Sequence, residues 1–179
     1  MREGLKALVS PARAPPNPKG QEMTADVSAW KQAGRLHVWR YAEARRGWHG
    51  WQWSADPAGA RSLRNLFDRM LGGEPCHRTL RLAALTDAVL CVPGVRYAVA
   101  EHCAKLRVDY RPGRTELQLE PDGDLLALTV GDRRLRRLTA ALAQVEVGEG
   151  DFGIAASDLR RADPWMFWWM PGIDYRSGK

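Results

Sequence analysis

Three cysteines, Cys76, Cys91 and Cys103, are all that the 179 residues contain. An odd number in a chain long enough to bury about two-thirds of its unfolded surface without staples argues against a disulfide framework and for reduced thiols. Long apolar runs are missing too. The longest, Ala88 to Pro93 and Trp165 to Pro171, fall far short of the roughly 20 residues that a membrane-spanning helix needs. Near the N-terminus, Leu5 to Val9 is broken by Lys6 and is too short for the apolar region of a signal peptide. These absences place the protein in the cytoplasm, with no membrane partner. No phosphate-binding glycine loop, nucleophile elbow or zinc-hydrolase motif occurs, so no cofactor is expected. Lysine is scarce: the net charge of +6 is carried almost wholly by arginine. That excess suits a polyanion partner, but the coding bias of a GC-rich bacterial genome produces the same composition.

What is abundant is tryptophan. Five of the eight lie between Trp30 and Trp53 and three between Trp165 and Trp169, with none from 54 to 164. Tryptophan concentrates in cores and at binding surfaces, so the two ends of the chain are expected to meet across one aromatic core or one aromatic-walled site. For a site, the candidates are Trp48, Trp51, Trp165 and Trp168.

Residues 1–22 hold Pro11, Pro15, Pro16 and Pro18 and no apolar periodicity, and read as a flexible tail. Back-translated, Lys19-Gly20-Gln21-Glu22 is purine-rich ahead of Met23, which raises Met23 as an alternative start. Residues 23–179 are read as a single domain.

Leu36 to Ala44 and Trp48 to Ser54 read as two strands joined by an Arg45-Arg46-Gly47 loop. That register sets Tyr41 opposite Trp51 and Trp39 opposite Trp53. Asp56-Pro57 supplies a helix N-cap and first-turn proline, and Leu63, Leu66, Phe67, Met70 and Leu71 recur at helical spacing up to Gly72-Gly73. On its polar side Arg64 can pair with Asp68. From Lys105 to Gly131 the period becomes two. With turns at Pro112-Gly113 and Asp122-Gly123, three successive strands align Val108, Leu117 and Leu128 in one row and Leu106, Leu119 and Leu126 in another. Thr79 to Leu85 and Val95 to Ala100 add strands. A second helix runs from Asp132, as N-cap, to about Val145. Residues 165–170 are apolar on both alternating faces, which predicts a strand buried on two sides and ended by Pro171-Gly172. The expected fold is α+β: a mainly antiparallel sheet of about six to eight strands, with helices near 56–71 and 132–145 packed on one face.

Few residues carry a chemical signature. Asp151-Phe152-Gly153 matches the metal-binding triplet of protein kinases, but the kinase glycine-rich loop and catalytic-loop motif are missing, so it reads as a turn. Cys76-His77, Cys91 and His102-Cys103 hold enough soft ligands for zinc. Adjacent residues of a strand point to opposite faces, however, and neither dipeptide chelates readily. The same geometry weakens Glu101-His102-Cys103 as a nucleophile and base. Arg133, Arg134, Arg136 and Arg137 are the most pointed feature, because they occupy the first turns of a helix, where the macrodipole disfavours cations by roughly 0.3–1 kcal/mol each. The helical wheel turns Arg133, Arg136 and Arg137 outward with Ala140 and Gln144, and puts Arg134 on the flank. Their expected partners are Glu116, Glu120 or Asp122, solvent, or the phosphates of a nucleic acid.

The resulting expectation is a non-enzymatic cytoplasmic binding protein that recognises a macromolecular partner, a protein, through arginine and aromatic side chains. Direct nucleic-acid binding through helix 132–145 is the alternative, and a small enzyme with an unrecognised site is the third.

Overall fold

The computed structural model describes residues 26–42, 48–91, 97–159, 162 and 164–169. The tail 1–22 with its alternative start, the Arg45-Arg46-Gly47 loop, Pro93-Gly94 and Pro171-Gly172 lie outside the described residues.

Among the described residues nine strands and three helices follow one another: β1 (Leu36–Tyr41), β2 (Gln52–Ala55), α1 (Pro57–Met70), β3 (Cys76–Arg81), α2 (Asp87–Cys91), β4 (Val99–Glu101), β5 (Lys105–Tyr110), β6 (Gln118–Asp122), β7 (Leu125–Val130), α3 (Asp132–Val147), β8 (Phe152–Ala155) and β9 (Pro164–Trp168). The α+β class and the predominance of antiparallel pairing are as expected. The strands divide into a five-stranded sheet, β4-β1-β2-β9-β8, and a four-stranded sheet, β3-β5-β7-β6. Two neighbouring pairs, β2 with β9 and β5 with β7, run parallel. Among the described residues no helix is long and apolar enough to cross a membrane.

Helix α1 starts as its residues dictate. Asp56 is extended at the N-cap, its carboxylate accepts from the Gly59 N–H, and Pro57 begins the first turn. Its buried face, Leu63, Leu66, Phe67 and Met70, joins Leu135, Leu138, Leu142 and Val145 of α3 and the inner faces of both sheets in one core. Arg64 does not pair with Asp68. It reaches across to Glu146 of α3 at 3.0 Å, as does Arg61 at 2.6 Å, because α1 and α3 pack directly on each other.

In the five-stranded sheet the register is one residue away from the expected one. Val38 lies opposite Trp53 and Trp39 opposite Gln52, and the connection covers residues 42–51 rather than three residues. A one-residue shift moves a strand's side chains to the other face. Trp39 therefore joins Tyr41, Val89 and Trp168 in a second cluster, while Trp53 faces the main core. The aromatic pattern could not discriminate, because both faces of this sheet are covered: Leu85, Val89, Leu90 and Tyr97 pack over the outer one. Strand β9 is buried on both faces as expected, for it lies inside the sheet between β2 and β8.

In the four-stranded sheet both turns form where expected, with Gly113 and Gly123 at positive φ. The three strands do not form a simple meander, however. Leu106 and Val108 align with Leu126 and Leu128 as read, but β5 and β7 are parallel neighbours, and β6 crosses to the far side of β7. Leu119 consequently faces Leu128 and Pro121 faces Leu126, a shift of two residues that preserves which side chains point inward. The crossing segment is tied down elsewhere, since Leu117 N–H donates to Ala156 O and the Arg134 guanidinium holds Thr115 O.

Candidate partner-binding face

The arginine-rich turn of α3 begins one residue earlier than read. Gly131 is the N-cap and offers no side-chain bond, so Asp132 sits inside the first turn, where its carboxylate accepts the Tyr110 hydroxyl at 2.6 Å. That hydrogen bond holds the Asp132 carboxyl below the usual carboxylate range. A carboxylate in this turn offsets part of the cation penalty.

The four arginines have three different environments. Arg134, read as a flank residue, has no exposed surface. Its Nε donates to Thr115 O and its Nη1 to Ala155 O, each at 3.0 Å, and its Nη2 lies 2.8 Å from Asp158. It is a tie between α3, the β5–β6 connection and the end of β8. Arg133 is exposed and pairs with the same Asp158 at 2.7 Å. The expected acids, Glu116, Glu120 and Asp122, take neither partner's place, because the loop after β8 brings Asp158 over the helix start. Desolvation pushes the Asp158 carboxyl up, but the charges of Arg133 and Arg134 outweigh it and hold the group below its ordinary value. Arg136 and Arg137 are exposed, with no bonding partner among the described residues.

Arg137, Ala140, Ala141 and Gln144 form one wall of a groove of about 310 Å³, and residues Phe152 to Ala155 of β8 form the other. Three large apolar side chains are exposed among the described residues, one next in sequence to Asp158 and two at the C-terminal end of α3. Val147, 71% exposed, ends its outer stripe. Leu159, 72% exposed, follows Asp158 at the helix start. Trp169, 38% exposed, lies over Gly148 and Gly150, which are bare enough for the ring to approach; a Cβ on Gly148 would come within 2.9 Å of Trp169 Cε2. Sequence reasoning missed Asp158, Leu159, Val147 and Trp169. Only Val147, on the same helical stripe as Ala140 and Gln144, carried a local signal.

The aromatic candidates do not converge on one site. Trp51 and Trp165 are buried in the main core, where Trp165 stacks on Trp53 at 5.5 Å between ring centroids. Their edges reach a second groove of about 300 Å³ with Arg40, His49, Gln118 and Glu120. There the Arg40 guanidinium lies 5.4 Å from the Trp51 ring centre and 2.5 Å from Glu101. Trp48 and Trp168 stack in parallel at 5.2 Å on the opposite face of the sheet, and Trp168 is buried. Tryptophan here does mainly the work of packing.

Glu101, His102 and Cys103 engage three separate partners: Arg40, the Ala83 carbonyl at 3.3 Å and the Gly123 carbonyl at 3.6 Å. Burial pushes the Cys76 and Cys103 thiols up, away from the nucleophilic thiolate. Among the described residues no group of three or more His, Cys, Asp or Glu is placed to hold a metal ion. The kinase-like triplet is a turn only at Asp151, which has the left-handed φ of 66°; Phe152 and Gly153 already belong to strand β8, contrary to the reading of all three as a turn. In comparisons with known proteins, no family model, no curated protein and no solved structure matches the chain.

Proposed function

We propose that the chain is a non-enzymatic binding protein that docks a protein partner on the outer face of α3 and the adjoining groove. One observation carries the reading: the large exposed apolar side chains among the described residues lie at the C-terminal end of α3 (Val147, Trp169) or next in sequence to Asp158 at its start (Leu159), and the same helix presents two arginines without a bonding partner there. Exposed apolar side chains at the ends of a helix that also presents cations have the composition of an interface, in which Trp and Arg supply most of the binding energy. A cytoplasmic setting agrees with three free cysteines.

The same arginines would also serve phosphates, so the partner class is tested directly. Fluorescence anisotropy of labelled polyglutamate and of a labelled single-stranded oligonucleotide, both at ~50 mM salt where electrostatic binding is strongest, separates the two. Tighter binding of polyglutamate is expected. Tighter binding of the oligonucleotide would make this a nucleic-acid protein, and binding of neither would overturn the reading.

A further inference from the structure

Among the described residues four strands end the two sheets, and three of these edges are guarded against further pairing. At β3 the Gln32 side chain bonds the backbone of Arg81 in both directions, Nε2 to the carbonyl at 2.8 Å and the amide to Oε1 at 2.7 Å. Strand β6 carries Pro121 between Glu120 and Asp122, and β4 is only three residues long. Proline, charge and shortness are the usual protections of a free edge. Strand β8, Phe-Gly-Ile-Ala, is four residues long and carries neither proline nor charge.

The β8 edge is also polar in the required way. Met166 of β9 donates its N–H to the carbonyl of Trp51, the residue before β2. It therefore turns its backbone away from β8, and Gly153, directly opposite Met166, must turn its own N–H and C=O away from β9. Two residues on, Ala155 points the same way, and its carbonyl is held by Arg134. Gly153 and Ala155 are exposed, and among the described residues nothing pairs with the Gly153 amide or carbonyl. The edge opens into the groove walled by α3, with Arg137 one helical turn beyond Arg134.

We infer that β8 takes an extended, acidic segment of a partner protein as an added strand. Main-chain bonds would be made to the amide and carbonyl of Gly153 and to the amide of Ala155, a carboxylate would meet Arg137, and the strand would cover Ala140 and Gln144. This rests on the reading of the α3 face as a partner surface. The acid is argued from charge complementarity, since Arg137 borders the groove without a counter-ion among the described residues.

The test uses three probes: a short peptide of alternating glutamate and valine, its lysine-for-glutamate counterpart, and the glutamate peptide N-methylated throughout. The glutamate peptide should bind and slow amide exchange at Gly153 and Ala155. N-methylation should weaken it at least about tenfold, the change expected when two or so hydrogen bonds are lost. R137E should reverse the preference toward the lysine peptide. Equal binding of the methylated peptide, or binding that leaves Gly153 exchange unchanged, would overturn strand addition while leaving the α3 face as a charged docking surface. Slow Gly153 exchange before any peptide is added would show the edge already covered by the chain itself and would overturn the proposal too. If neither the peptides nor polyglutamate bind, both this inference and the functional reading fall.

Discussion

Arg134 and Asp158 form an ion pair of 2.8 Å in which the guanidinium has no exposed surface, while the aspartate side chain is 57% exposed. The arginine is thus the structural partner. Its other nitrogens satisfy the carbonyls of Thr115 and Ala155, joining the start of α3 to the segment that crosses β7 and to the end of β8. Replacing Arg134 with alanine leaves two carbonyls without donors and a void where a long side chain lay. Urea denaturation should show a loss of roughly 2–4 kcal/mol. D158N, at the exposed end, should cost far less. Comparable losses from the two variants would mean that the ion pair, rather than the carbonyl bonds, carries the tie.

The outer face of the five-stranded sheet depends on Gln52. This residue has no exposed surface, receives the Trp168 indole N–H at 2.9 Å and donates to Gly50 O at 2.9 Å and Trp48 O at 3.2 Å. Gln52→Leu fills the space but strands the indole N–H, and should cost about 2–3 kcal/mol. Circular dichroism offers a second readout. The Trp48–Trp168 stack should give an exciton couplet that weakens in this variant, and an unaltered couplet would show that Gln52 does not hold the pair.

Gly59 lies in the first turn of α1, where alanine ordinarily stabilises a helix by about 1 kcal/mol. Here the opposite is expected. An added Cβ would run into the Arg35 carbonyl, which is fixed because Arg35 N–H bonds Asp56 Oδ1 at 3.0 Å and Asp56 N–H bonds Arg35 O at 3.2 Å. G59A should lose about 1–3 kcal/mol, and a gain in melting temperature would show that the β1–α1 junction yields.

Burial depresses the pKa of His37, against weaker support from the Ala83 and Ala84 backbone and the Asp56 charge, and its Nδ1 has no partner. The folded protein therefore disfavours the imidazolium more than the unfolded chain does, whose histidine keeps its ordinary value near 6.5. Between that value and the lower folded pKa the unfolded chain binds more protons. Stability is full above about pH 6.5 and falls as the pH drops below it. The melting temperature should decrease from pH 7 to pH 5, and H37Q should flatten the decrease. An equally steep variant would assign the effect to other groups.

Much of this architecture is legible because local chemistry decides it. Asp56-Pro57 can hardly do other than start a helix, Gly113 and Gly123 supply the positive φ of their turns, and the alternation of residues 105–130 reports which side chains face inward whatever the strand order. Strand order itself is invisible to that pattern: a meander and the observed β5-β7-β6 arrangement bury the same leucines. Register fails for a related reason in β1, where aromatic residues on both faces satisfy either alignment. Arg134 was unreadable because its partners, Thr115, Ala155 and Asp158, come from two separate loops and a strand end. The candidate face was half legible, since helical spacing turns Arg133, Arg136, Arg137, Ala140 and Gln144 outward, whereas Leu159 and Trp169 reach it only through the tertiary fold.

Whether the α3 face, rather than net charge, attracts a partner is tested most directly by titrating polyglutamate against two double variants of equal charge. One is Arg136→Gln with Arg137→Gln. The other is Arg107→Gln with Arg111→Gln, on the outer side of the four-stranded sheet, where both arginines lie beside Asp109. The α3 variant should weaken binding about fivefold per arginine, ~1 kcal/mol each, and the control should stay within about twofold of the unmodified protein. Equal weakening in the two variants would contradict the assignment and reduce the attraction to overall charge.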